Sequence, residues 1–377
     1  MALINYITPV QFGCGAIDTL DAELSRLGIS RPLIITDPGI IDAGICTTVT
    51  GNLGGRPHAI FSDTAENPTE TNLRDALAAF AASGCDGLIA VGGGSPMDLG
   101  KAVALLASQG GAFSDYDIKT GGSETIRRVL PHIAIPTAAG TGAEIGRACV
   151  LTTDDGRKRV AVSLEMVAHG IICDPELTLS LPPRITAATG IDALSHGIET
   201  FLSPRHNPPA DAIALDAIRR IAGNIETATN DGGNIEARSE MLMGALMGGM
   251  VLQKGLGAAH AMANPLGELH FHHGTLIGIL LPHVIAFNSV VAGERLAEIG
   301  AALDLPADRT LAGWTADLVR RLGLPVSLRD LGIERSCLAD IAAKAEKDHL
   351  SATNPRPAMR GDYETLLDAA WKGPPSG

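Results

Sequence analysis

Two side chains four residues apart offer the first chemistry in this sequence: Asp192 and His196, in Gly190-Ile191-Asp192-Ala193-Leu194-Ser195-His196-Gly197. The segment consists of good helix formers with no interior proline. On a helix, that spacing stacks a carboxylate and an imidazole on one face. An acidic oxygen and a neutral imidazole nitrogen meeting at one point are half of what a divalent metal requires. The other half is available further along, at His260 and in the cluster His270, His272 and His273. That makes four histidines in fourteen residues otherwise rich in Gly, Ala, Leu and Met. Imidazoles in so apolar a stretch need partners if they are buried. An Asp-x-x-x-His pair also occurs as an incidental pair on a helix surface, so spacing alone leaves both readings open.

Anion binding is the second chemistry. Val91-Gly92-Gly93-Gly94-Ser95-Pro96-Met97-Asp98 joins a strand-like run to a helical one. Three glycines let the backbone approach a pyrophosphate, and the helix that follows presents unpaired amides to it. The stretch does not match Gly-x-Gly-x-x-Gly, so a standard dinucleotide loop is not implied, and a plain tight turn is the simpler alternative. Asp37 closes another strand-like run. A carboxylate there accepts hydrogen bonds from an adenosine ribose and repels a 2′-phosphate, or else merely caps the turn before Pro38. The turn Pro136-Thr137-Ala138-Ala139-Gly140-Thr141-Gly142-Ala143-Glu144 carries hydroxyls and small residues that suit a diphosphate or a ribose, or form only a loop.

The elements that must position these groups follow from periodicity. Short apolar runs at 32–37, 58–61, 87–91 and 132–136 read as strands, with amphipathic stretches such as 69–83 between them. Strand and helix in alternation predict a parallel sheet with helices on both faces, where ligands sit beyond the carboxyl ends of strands. After Pro182-Pro183 the pattern turns helical, at 188–202, 210–227, 237–256, 295–303, 311–322 and 337–347. The expected division is therefore 1–180, an α/β domain, and 181–377, a helical domain.

Composition narrows the function. At 377 residues two domains are the default, and 45% hydrophobic with 19% charged residues excludes general disorder. A formal charge of −13 and only 3% aromatic residues argue against nucleic acid or an anionic membrane as partner. Six scattered cysteines without a Cys-x-x-Cys pair read as small buried hydrophobes of a reducing compartment. The N-terminus lacks the basic start and long apolar core of a signal peptide, and the longest apolar run, 275–287, is too short to span a bilayer. The expected location is the cytoplasm.

The chain resembles the iron-containing (group III) alcohol dehydrogenases over nearly its whole length. The resemblance is carried by GGGSPMD at 92–98, IPTAAGTGAE at 135–144 and DPELTLSLPPRITAATGIDALSHGIE at 174–199. It continues through GLGAAHAMANPLG at 255–267, HHGTLIGILLPHVIAFN at 272–288 and Asn354-Pro355-Arg356-Pro357. It implies an α/β dinucleotide-binding domain with a parallel sheet, followed by an all-α metal-binding domain. This is a dehydroquinate synthase-like architecture, with the site in the cleft between the two. The metal ligands it implies are Asp192, His196, His260 and His273, holding Fe2+, with Zn2+ as the alternative. On the cofactor side it implies Asp37, Asn67, Gly93, Gly94, Ser95, Asp98, Thr137, Thr141 and Lys158. Asp37 matches members that prefer NAD to NADP. The implied reaction is alcohol oxidation or aldehyde reduction on a small molecule, in a homodimer or larger homo-oligomer.

Two departures from the family pattern bear on catalysis. Many members have His-x-x-x-His where this chain has His260-Ala261-Met262-Ala263-Asn264, and Asn264 cannot titrate. Proton exit then falls to another group, with His270 or His272 as candidates. Arg147 follows a cofactor turn, where it suits a substrate with an anionic tail, or else forms a structural ion pair. Glycerol dehydrogenase-like and dehydroquinate synthase-like zinc enzymes share the architecture, but this ligand set and its HAMANPLG context fit the iron group better. A binding protein that has lost catalysis is the third reading, and the intact ligand set argues against it.

Overall fold

The computed structural model describes residues 8–374. They fall into two compact units. One holds the described chain up to Ala138 together with Gly142–Ser180; the other holds Ala139–Thr141 and the chain from Leu181 onward.

The first unit contains every strand among the described residues. β1 (Val10–Phe12), β2 (Pro32–Ile35), β3 (Ala59–Phe61), β4 (Gly87–Gly92), β5 (His132–Pro136) and β8 (Gly170–Cys173) form one sheet in the order β1-β8-β5-β4-β2-β3. Every pairing in it is parallel, as the alternation of strands and helices predicts. β6 (Ala148–Thr152) and β7 (Lys158–Val162) make a separate antiparallel hairpin. The helices of this unit are α1 (Leu20–Leu27), α2 (Pro38–Asp42), α3 (Ile45–Gly51), α4 (Glu70–Ala82) and α5 (Gly94–Gln109). Successive strand residues feed opposite cores, because side chains alternate across a pleated strand. Leu33, Ile35 and Leu88 enter one cluster, whereas Ile34, Ile89, Val91, Ile133 and Ile135 enter the other. With both faces covered, β2, β4, β5 and β8 are buried at every position. The chain goes outward from β2 to β3, then returns to lay β4 on the other side of β2. That reversal opens a crevice at the carboxyl ends of β2 and β4, the usual ligand position in such sheets.

His132 opens β5 wholly buried, its Nδ1 3.0 Å from the Leu130 carbonyl and its ring edge-on to His169 at 5.1 Å. Burial, with repulsion from His169 second, pushes its pKa down from 6.5 to about 3. Above pH 6.5 neither folded nor unfolded chain binds this proton. As pH falls from there the unfolded chain takes it up and the folded one does not, so stability is lost on the acid side. His132→Asn is expected to remove about 2 kcal/mol of the stability lost between pH 7 and pH 5, read from urea unfolding at both values. An unchanged pH 5-to-7 difference would contradict neutral burial.

Among the described residues the second unit contains helices and 3-10 turns only. They are α6 (Pro183–Leu202), α7 (Pro208–Asn230), α8 (Ile235–Val251), α9 (Ala258–Gly267), α10 (His273–Ala302), α11 (Leu311–Arg321), α12 (Leu338–Glu346) and α13 (Arg360–Lys372). Pro183 is the first helical residue of α6, a position where a missing amide costs nothing, so the helix begins five residues before the expected start. From Thr186 to Leu202 nearly every side chain of α6 is buried, which makes it the axis of this unit's core.

α10 corrects one expectation. The apolar run at 275–287 lies inside a 30-residue helix with Pro282 in its interior and non-helical backbone at Ala292. By length and composition alone this helix is long and apolar enough to cross a bilayer, yet 67% of its most apolar window is buried inside the fold. The cysteines also divide: Cys46, Cys149 and Cys173 are buried as expected, whereas Cys14 is exposed.

Candidate functional site

Asp192 and His196 project from the buried length of α6, 3% and 4% exposed. His260 stands in the first turn of α9, behind the N-cap Gly257, and His273 is the first residue of α10. Asp192 Oδ1 is the shared vertex, lying 3.8 Å from His196 Nε2, 3.6 Å from His260 Nε2 and 3.5 Å from His273 Nε2. The donor atoms of Asp192, His260 and His273 all lie within 4.8 Å of one another. His196 borders this set through Asp192 and stacks on the His260 ring at 5.0 Å.

These separations exceed hydrogen-bond length, and both Asp192 Oδ1 and His260 Nε2 are buried without a hydrogen-bond partner. Buried polar atoms are rarely left so unless something else satisfies them. One carboxylate oxygen and imidazole nitrogens at such spacing are the donors a borderline divalent cation takes, so the residues fit the metal that the family resemblance implies.

The local electrostatics agree with that reading. Burial pushes the Asp192 carboxyl up, but the three imidazoles outweigh it and hold the group well below the usual carboxylate range. Burial dominates at His196, which falls to about 4 despite Asp192. At His260 burial is overcome by two carboxylates, Asp192 and Glu199, and the group is pushed up to about 9. Carboxylates that hold a proton on His260 in this way suit a cation in place of that proton.

Glycines set the approach of the three helices. A Cβ at Gly274 would lie 2.1 Å from the Ala188 carbonyl oxygen of α6, so the residue after His273 must lack a side chain. Gly257 is similarly crowded, at 2.8 Å from both Asn354 Oδ1 and Glu199 Oε1. Those two side chains, distant in sequence, replace the missing cap of α9. Asn354 accepts from the Ala258 amide at 3.2 Å, and Glu199 from the Ala259 amide at 2.8 Å. The Asn354-Pro355-Arg356-Pro357 motif thereby acquires a structural reason.

The remaining histidines part company. His270 is exposed, with a left-handed φ of 63°, and His272 precedes α10 with its Nδ1 buried and without a hydrogen-bond partner. Asn264 does not behave as a free polar group: its Nδ2 donates to Asp348 Oδ2 at 3.0 Å, and Asp348 caps the turn that follows.

In the first unit, Asp37 lies just beyond β2 and Gly93, Gly94 and Ser95 just beyond β4, the two strand ends flanking the reversal. Asp37 follows β2 and accepts from the Ile40 amide at 3.1 Å, so it does cap α2, and it also borders the turn after β4. A Cβ at Gly92 would lie 3.2 Å from Asp37 Oδ2 and 2.7 Å from Pro96 Cγ, at a φ of 142°. Gly92 is thus the glycine that the turn requires. Gly93 is the N-cap of the 16-residue α5 and has open space where a Cβ would be. No side chain caps the helix, so its first amides could receive an anion. Ser95 Oγ donates to the Glu66 carbonyl, and the neighbouring Asn67 Oδ1 accepts from Lys158 Nζ at 3.1 Å. Thr137, buried beyond β5, donates its amide to the Gly92 carbonyl at 3.0 Å. Thr141 clusters with the helical unit.

Burial pushes Asp98 up to about 7 against the pull of Lys101, the Val150 amide and Lys158. Nothing local in the sequence marks Lys101, because a lysine in a helix reads as a surface residue. Here it is buried and donates to the carbonyls of Ala143 and Gly146, each at 2.6 Å, and of Ala148 at 3.0 Å. Two of these carbonyls flank Arg147, whose backbone is fixed as a result.

Comparison with known proteins agrees with this arrangement. Residues 8–175 match the family described as iron-containing alcohol dehydrogenase, and residues 186–371 match the C-terminal domain of the Fe-containing alcohol dehydrogenase family. The chain is 43% identical to 4-hydroxybutyrate dehydrogenase from Cupriavidus necator, over 98% of this chain and 99% of that protein. A 1,3-propanediol oxidoreductase crystal structure superposes with a TM-score of 0.91 at 34% identity, covering 98% of this chain and 100% of the other. Sulfoacetaldehyde reductase from Bifidobacterium kashiwanohense, solved in complex with NAD+, superposes with a TM-score of 0.89 at 28% identity, over 98% and 99% of the two chains. The chain therefore belongs to the iron-containing alcohol dehydrogenase family.

Proposed function

We propose that this protein is an NAD-linked dehydrogenase of small primary alcohols whose far end carries a carboxylate, interconverting an ω-hydroxy acid with its semialdehyde. The observation that carries the reading is the convergence of the Nε2 atoms of three histidines on the buried Asp192 Oδ1. Asp192, His196, His260 and His273 would hold a divalent cation, iron by family with zinc as alternative. Asp37, Asn67, Gly93, Gly94, Ser95, Asp98, Thr137, Thr141 and Lys158 would hold the dinucleotide. When bound, the cation supplies Lewis acidity toward an oxygen and the nicotinamide accepts or gives hydride. The chain's own share is to bind, orient and exclude water, so that the reacting carbon sits at near-attack distance. Overall, alcohol and NAD+ give aldehyde, NADH and one proton. We place that proton's exit on His272 or His270, since Asn264 is occupied by Asp348 and cannot titrate. The expected setting is the cytoplasm and a homodimer or larger assembly.

The carboxylate tail rests on the 43% identity to a 4-hydroxybutyrate dehydrogenase and on Arg147, which we assign as the tail's partner. With metal-reconstituted enzyme, kcat/KM for 4-hydroxybutyrate is expected to exceed that for 1-butanol, and NAD+ to be preferred over NADP+. Arg147→Ala should lower the 4-hydroxybutyrate value about tenfold or more, the scale of one charge-assisted hydrogen bond, and leave 1-butanol nearly unchanged. Equal losses on both alcohols would remove Arg147 from substrate recognition. Activity indifferent to metal would end the wider reading.

A further inference from the structure

Glu199 lies on α6 seven residues after Asp192 and three after His196, on the same stripe of the helix, 3% exposed. Its Oε2 is 2.5 Å from His260 Nδ1, and its Oε1 accepts the Ala259 amide. An ionised carboxylate has no proton to give, so in that contact Nδ1 carries the hydrogen and donates it. The lone pair of His260 is then on Nε2, the nitrogen that faces Asp192 and has no hydrogen-bond partner.

We infer that Glu199 is a positioning residue of the metal site, fixing the tautomer and the orientation of His260 so that Nε2 is presented to a divalent cation. The inference rests on the metal site proposed above. It assigns Glu199 a task that direct coordination does not require: the carboxylate acts only through the imidazole. Because Glu199 and Asn354 share the capping of α9, the structural and the metal-directed roles can be separated by comparing them.

The test is metal affinity of the apoprotein, measured for Co2+ and Zn2+ by chelator competition, with Co2+ absorption reporting the ligand field. Glu199→Gln keeps size and an amide acceptor for Ala259, and is expected to weaken binding about 10- to 100-fold and to alter the Co2+ spectrum. Asn354→Ala, which frees the Ala258 amide without touching His260, should lower thermal stability and leave affinity within about threefold. In a His260→Ala background, Glu199→Gln should weaken binding no further, because its effect passes through that ring. Unchanged affinity in Glu199→Gln, an equal loss in Asn354→Ala, or an undiminished loss in the His260→Ala background would each overturn the inference. Wild-type protein binding no metal at one per chain would instead overturn the metal site itself.

Discussion

Asp192→Ala is expected to abolish stoichiometric metal binding and to lower kcat/KM by about a thousandfold or more, the scale of losing several kcal/mol of charge stabilisation at the reacting oxygen. The reason lies in the geometry of the focus. Asp192 Oδ1 lies within 3.8 Å of all three imidazoles, so its removal takes away both a ligand and the negative charge at their focus. It also leaves His260 with Glu199 as its sole carboxylate partner. Metal content of the purified variant and steady-state rates with NAD+ are the measurements. A variant that kept one metal per chain and activity within tenfold of the parent would show that the cation, if needed, sits elsewhere. Asp192→Asn, which preserves shape and removes charge, should follow the alanine variant in metal loss.

Gly274→Ala is expected to be nearly as damaging, although it deletes nothing. Its Cβ would be placed 2.1 Å from the Ala188 carbonyl oxygen and 2.7 Å from the Ala188 carbonyl carbon, both rigid backbone atoms of a buried helix. No rotamer relieves that overlap, so α10 must retreat from α6 and carry His273 with it. A displacement of about 1 Å at a reacting group costs on the order of a hundredfold in rate, and overpacking a core costs about 1–3 kcal/mol. The control lies one helical turn on. At Gly278 an added Cβ meets Ile191 and Val319 at 3.5–3.6 Å, ordinary contact, and Gly278→Ala should leave rate and metal content nearly unchanged. Comparable losses in both variants would point to general intolerance of α10 and away from placement of His273.

The same residues show how far the sequence could be read. Asp192 and the histidines were legible as candidates because metal chemistry admits few residue types and because a four-residue step on a helix makes neighbours, whereas choosing His273 over His270 and His272 rested on the family resemblance. Glu199 obeys the same stripe and could have been found by extending it one turn, but its partner is 61 residues away on another helix. Lys101 carried no signal, since nothing local distinguishes a lysine that finds three carbonyls from one in water. Among the elements, β2, β3, β4 and β5 were visible as apolar runs; β1 and β8 were not, although they are no shorter than β3 and β2. α10 was hidden for the opposite reason. A helix buried nearly all round for its first half shows no periodicity, and Pro282 reads as a stop where the fold in fact continues. Asn264 was recognised as a departure; its engagement with Asp348, 84 residues on, lay beyond the reach of local pattern.

The borrowed cap of α9 has a consequence for biosynthesis. Asn354 supplies an acceptor to Ala258, 96 residues earlier, and exchanges two hydrogen bonds with Asn288, while Thr353 grips the Leu256 carbonyl. A nascent chain still short of residue 354 leaves that end of the helix unsatisfied, and His260 hangs from it. That end of α9 therefore closes only once residues 353 and 354 have been made, and until then Glu199 alone caps it.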